Sequence, residues 1–203
     1  MTRDLRLCFV GDSFVAGIGD PQFLGWAGRL AAQTQNAGLP LTGYNLGVRR
    51  QTSADILARW EGECAQRLAD GTDRRVVLSF GVNDTTPLGD GTRVPAEESP
   101  ANLRAMLPVA AARGWSVLVV GPPPVPDAGQ NARTAALDEQ FAVVCAEAGV
   151  PYVPVLPSLL ASEVWMREVR AGDGAHPSAG GYEVFAGLVA PRWRAWISDG
   201  GQA

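Results

Sequence analysis

Leu5-Arg6-Leu7-Cys8-Phe9-Val10-Gly11-Asp12-Ser13 is the stretch that decides the fold. Leu5 to Val10 is a short, mostly apolar run bounded by glycine, the pattern of a buried strand. A glycine-rich loop follows, and then Trp26, Ala27, Leu30 and Ala31 recur at helical spacing until about Gly38. The same strand, loop and helix unit repeats along the chain. Leu41 to Leu46 reads as a second strand ending at Gly47, and Ile56, Trp60, Cys64 and Leu68 mark an amphipathic helix. Val76 to Phe80 is a third strand, ending at Gly81. A polar loop from Thr85 to Glu98 leads to a helix capped by Ser99 with Pro100 in its first turn, running towards Gly114 and kinked at Pro108. Val117 to Val120 is a fourth strand ending at Gly121, with an extended exit through Pro122-Pro123-Pro124. Asn131 is expected to cap a helix carrying Leu137, Phe141, Val144 and Cys145. Tyr152 to Val155 is a fifth strand whose Pro154 suits an edge. A helical stretch from Leu159 to Val169, a loop from Gly172 to Ser178, and a last helix through Tyr182, Phe185 and Leu188 complete the chain, with Trp193 and Trp196 beyond Pro191.

Strands alternating with helices imply a doubly wound α/β fold, a parallel sheet of five strands with helices on both faces. No repeat or linker interrupts the pattern, so residues 1–203 are read as a single domain. In such sheets ligands bind beyond the carboxyl ends of the strands. The glycine-marked ends at Gly11, Gly47, Gly81 and Gly121 are where chemistry is expected.

Composition narrows that chemistry. All 17 basic side chains are Arg and there is a single His, His176. The absence of Lys excludes a Schiff base, a phosphate-loop lysine and a Ser-Lys dyad. One His excludes sites built on two or three imidazoles. Cys8, Cys64 and Cys145 are widely spaced in apolar surroundings and read as buried free thiols. The net charge is −4 and the Arg residues are scattered, which argues against a nucleic-acid partner. No apolar run approaches the roughly 18 residues of a membrane span, and no secretory leader is visible. A cytoplasmic protein is the expectation; the sequence leaves the oligomeric state open.

Ser13 follows the first strand, Gly47 ends the second, Asn83 follows the third, and Asp173 and His176 lie in the loop before the last helix. A Ser hydroxyl is a weak nucleophile and needs a base, which here is the one imidazole. That imidazole needs an acceptor on its other nitrogen, and Asp173 is three residues away; Asp84 and Asp20 also have the right chemistry. An oxyanion needs hydrogen-bond donors, for which the Ser13 and Gly47 N–H groups and the Asn83 amide are candidates. Such a site needs no metal or organic cofactor.

The blocks Gly11-Asp12-Ser13, Gly47, Gly81-Val82-Asn83-Asp84 and Asp173-Gly174-Ala175-His176 resemble those of the SGNH, or GDSL-type, hydrolase superfamily. The resemblance spans residues 11–176, and Phe14 stands where the motif has Leu. It implies a flavodoxin-like three-layer α/β/α fold and a serine ester hydrolase acting on a small-molecule acyl ester through an acyl-enzyme. Ser13 would be the nucleophile, His176 the base and Asp173 the third member of the triad. Ser13, Gly47 and Asn83 would form the oxyanion hole. A thioesterase, a carbohydrate acetylesterase or an acyl transferase would use the same machinery, and a non-catalytic flavodoxin-like binding domain is the rival from a different class.

Each residue also has a simpler reading. Ser13 is a favoured helix cap, Asn83 and Asp84 suit an Asx turn, and Gly47 suits a positive φ. Asp12 is read as a loop-bracing acceptor and Asp84 as structural. The segments Thr85 to Glu98 and Pro122 to Asp127 are expected to wall the substrate pocket, with Trp26, Trp60, Trp193 and Trp196 in packing roles.

Overall fold

A computed structural model describes residues 3–199. In chain order the elements are β1 (Leu5–Gly11), α1 (Ser13–Ala16), α2 (Gly25–Asn36), β2 (Thr42–Gly47), α3 (Ser53–Leu68) and β3 (Asp73–Ser79). A small hairpin, β4 (Pro87–Leu88) and β5 (Gly91–Thr92), precedes α4 (Glu98–Ala112) and β6 (Ser116–Val120). The chain continues through α5 (Ala128–Glu147), β7 (Tyr152–Val153), α6 (Leu156–Leu160), α7 (Glu163–Ala171) and α8 (Ala179–Ser198).

The main sheet has five parallel strands in the order β2-β1-β3-β6-β7. This is the flavodoxin-like order expected, with β7 on the edge. Alternate side chains of each strand point to opposite faces, so the sheet feeds two cores. One contains Phe9, Trp26, Leu30, Trp165, Phe185 and Trp193 beneath α2, α7 and α8. The other contains Val10, Ile56, Trp60, Leu78, Met106 and Phe141 beneath α3, α4 and α5. The three layers follow directly. Trp193 and Trp196 are buried within the chain, and the three cysteines are buried and free. No helix among the described residues is long and apolar enough to cross a membrane.

The register places the site. Gly11 lies opposite Gly47 on one side and Ser79 on the other, so β1, β2 and β3 end level with one another. The chain leaves them as three loops at one height.

Several boundaries differ from the sequence expectation. Asp127, not Asn131, caps α5 through a 2.6 Å bond to Gln130 N–H. Asn131 lies inside the helix and clasps Val125, accepting its N–H and donating to its carbonyl. Helix α4 begins at Glu98, ahead of Ser99. Residues 159–169 belong to two helices, separated by the cap Ser162. Helix α8 continues through Pro191, which it accommodates internally, to Ser198. The 85–98 loop contains the hairpin, too short at two residues per strand to show a periodic signal.

Candidate active site

The β1–α1 turn keeps the Ser13 hydroxyl free of capping by assigning that duty to its neighbour. Asp12 is the N-cap and accepts the Phe14 N–H at 3.0 Å. Ser13 becomes the first helical residue, and its Oγ lies 2.8 Å from His176 Nε2. The Phe14 ring backs the imidazole, with centroids 4.9 Å apart, and rests against Trp165. Ser13 and His176 are both buried to better than nine-tenths.

His176 is held from the far side by Asp173, whose Oδ2 lies 2.7 Å from Nδ1. The other carboxylate oxygen accepts the backbone N–H groups of Ala175 and His176 at 3.0 and 2.9 Å. Burial acts to raise the Asp173 pKa, but these bonds and the nearby imidazole outweigh it and hold the group down to about 2. The other two acids considered for this position are engaged elsewhere. Asp20 binds Arg29 and the N–H groups of Gln22 and Gly25, and Asp84 accepts the Ser53 N–H at the start of α3.

Three donor groups surround this line. Among the described residues no side chain takes the Ser13 N–H, at the start of α1. Gly47 N–H rests on Asn45 Oδ1 at 3.0 Å. A Cβ at Gly47 would lie 2.2 Å from Ala16 N, so glycine is required by close approach rather than by a positive φ. The Asn83 amide nitrogen donates to Gln51 O at 3.0 Å and to Asp12 Oδ2 at 3.2 Å, while Arg93 approaches its oxygen at 3.4 Å. Asp12 is almost fully buried; desolvation, reinforced by Asp84, pushes its carboxyl up to about 7 against the hydrogen bonds from Phe14 and Asn83.

Ser13, Asn83 and His176 open onto a cleft of about 510 Å³. Of the segments expected to wall it, Thr86, Val125, Pro126 and Asp127 do so. Arg49, Arg50 and Gln130 also line it and were missed. Their signal was position: the arginine pair follows Gly47 by two residues, in a loop that leaves the same end of the sheet. Arg59 was missed as well. Its guanidinium donates to Gly11 O at 3.1 Å and Leu46 O at 2.9 Å, tying together the ends of β1 and β2.

The sequence profile of the GDSL-like lipase/acylhydrolase family matches residues 9–184, which contain every residue of this site. The chain belongs to that family. Its GDSL-type fold is shared with solved structures of low sequence identity. A lipase/acylhydrolase from Enterococcus faecalis is 22% identical with a TM-score of 0.76, over 98% of this chain and 100% of that one. TesA is 25% identical with a TM-score of 0.77, over 94% and 99%. Axe2, an acetylxylan esterase from Geobacillus stearothermophilus, is 19% identical with a TM-score of 0.75, over 94% of each chain. No curated protein sequence matches the chain at a significant level. Family membership makes this GDSL-type chain an ester hydrolase; its substrate and the roles of its residues are matters for its own geometry.

Proposed function

We propose that the chain is a serine hydrolase of carboxylic esters acting through an acyl-enzyme. The observation that carries this reading is the continuous line from Ser13 Oγ to His176 Nε2, 2.8 Å, and from His176 Nδ1 to Asp173 Oδ2, 2.7 Å, opening onto the cleft.

Ser13 Oγ attacks the acyl carbonyl carbon as His176 Nε2 takes its proton. Asp173 accepts the Nδ1–H bond, fixes the tautomer that leaves Nε2 basic, and stabilises the imidazolium once it forms. The carbonyl oxygen, now an oxyanion, accepts from the Ser13 N–H, the Gly47 N–H and the Asn83 amide. In the resting site Gly47 and Asn83 give their hydrogens to protein acceptors, so the incoming oxygen replaces Asn45 Oδ1 and one partner of Asn83. His176 returns the proton to the departing alcohol. Water then attacks the acyl-enzyme with His176 again as base, releasing the acid and restoring Ser13.

Pre-steady-state hydrolysis of a short aryl ester tests this. A burst of phenol stoichiometric with enzyme, absent in Ser13→Ala, is expected where deacylation is slow. Hydrolysis by Ser13→Ala at the wild-type rate contradicts the reading. A panel of aryl esters, acyl thioesters and acetylated sugars, with an added alcohol as competing acceptor, then separates esterase, thioesterase, deacetylase and transferase.

A further inference from the structure

We propose that the preferred ester carries an anionic group, a carboxylate or a phosphate, held at the cleft by the guanidinium groups of Arg49 and Arg50. The proposal rests on the reading of Ser13 as the nucleophile.

Arg50 is one of two non-glycine residues among those described with a positive φ, at 68°. Backbone of this kind is costly for a side-chain-bearing residue and concentrates at ligand sites. It is held in place from outside: Arg93 donates to the Arg50 carbonyl at 2.9 Å and with its other terminal nitrogen approaches Asn83 Oδ1 at 3.4 Å. The main chain of Arg50 is therefore tied to a proposed oxyanion donor, and its side chain lines the same cleft.

Neither guanidinium is satisfied by the described residues. Among the described residues, the Arg50 side chain has no hydrogen bond or ion pair. Arg49 has one contact, 3.7 Å to Asp173 Oδ2, an oxygen already engaged by His176. Two other arginines near the sheet ends are heavily committed: Arg59 binds two carbonyls, Gln51 and Glu63, and Arg29 binds Asp20, Glu183 and the Gly25 carbonyl. Of the acids on the cleft, Asp173 serves His176 and Asp127 caps α5. The arginine side of the cleft thus offers uncommitted donors in a forked geometry that suits carboxylate or phosphate. The remaining wall sets polar Asn83, Thr86 and Gln130 beside apolar Phe14, Val82, Val125 and Pro126, so the two arginines supply the charge complementary to an anion.

Two matched pairs of esters test the proposal. An aryl hemisuccinate against its methyl ester places the anion on the acyl side. The acetate of a hydroxybenzoate, or of a hydroxyphenyl phosphate, against its neutral ester places a carboxylate or phosphate on the alcohol side. Rates are normalised to those with hydroxide. The expected result is a kcat/KM ratio of about fivefold or more for the charged member of at least one pair, the scale of one exposed charge contact. The ratio should shrink as salt is raised. It should fall towards one in Arg49→Gln/Arg50→Gln and be largely kept in Arg50→Lys. Ratios near one for every wild-type pair, or a preference that survives in the double Gln variant, overturn the proposal. If Ser13→Ala hydrolyses these esters as wild type does, it is the nucleophile reading that fails, whatever the charge preference.

Discussion

The Asp12 carboxyl meets Phe14 N–H and Asn83, the Asp173 carboxyl meets His176, and their surroundings push the two pKa values in opposite directions. Asp173 keeps 43% of its side-chain exposure, receives two backbone N–H bonds and the His176 ring, and is held down to about 2. Asp12 is 1% exposed, has Asp84 nearby, and is pushed up to about 7. The difference separates two tasks that one residue type can perform. A permanently ionised Asp173 can stabilise an imidazolium. An Asp12 that resists ionisation can brace Asn83 while limiting negative charge beside a forming oxyanion.

The comparison breaks most visibly at Asp173. Asp173→Asn should lower kcat by about 10² to 10⁴-fold, because His176 loses both its tautomer control and its counter-charge. Steady-state kinetics on a short aryl ester decide this; near-wild-type turnover would show that Asp173 only shapes its loop. The opposite sign is expected at Asp12. Its folded pKa, about 7, lies above its ordinary value of 3.8, so its stabilising contribution is complete below about pH 4 and is lost as pH rises through 7. The loss is on the order of 4 kcal/mol. Denaturant titrations from pH 4 to 8 should show that decline in the wild type and a flatter profile in Asp12→Asn. Equal slopes would mean that Asp12 is not held neutral. Asp173 contributes in the other direction, with stability present above about pH 4 and lost as pH falls towards 2.

Asn83 donates to the Asp12 carboxyl. Asn83→Ala should reduce kcat by about 10² to 10³-fold with a smaller change in KM. Asp12→Ser keeps a helix cap but no longer reaches Asn83, and should cost about three- to tenfold in kcat. In the Asn83→Ala background it should cost nothing further. An additive loss would place the effect of Asp12 in the α1 cap rather than in the amide it holds.

The same contrast explains what was legible in the sequence. His176 stood out because it is the only imidazole, and Asp173 because it is three residues away; short-range spacing carried both. Strands β1, β3 and β6 were legible because parallel strands buried on both faces read as short apolar runs. The role of Asp12 as a bracing acceptor was visible in outline. Its partner was not, since the bond to Asn83 spans 71 residues. The close approach of Ala16 to Gly47 is hidden for the same reason. The α5 cap was misplaced because Asp127 and Asn131 both suit a cap, and only the packing of Val125 against Asn131 distinguishes them. Arg49 and Arg50 read as scattered charge because their place at the cleft follows only once the end of β2 is set beside that of β1.

Labelling with a fluorophosphonate, followed by peptide mass spectrometry, tests the central claim most directly. The account predicts one phosphonyl adduct per chain, on Ser13, formed rapidly in the wild type and slowed by orders of magnitude when His176 is replaced by Ala. An unlabelled Ser13 in folded protein, or labelling that is indifferent to His176, would contradict it.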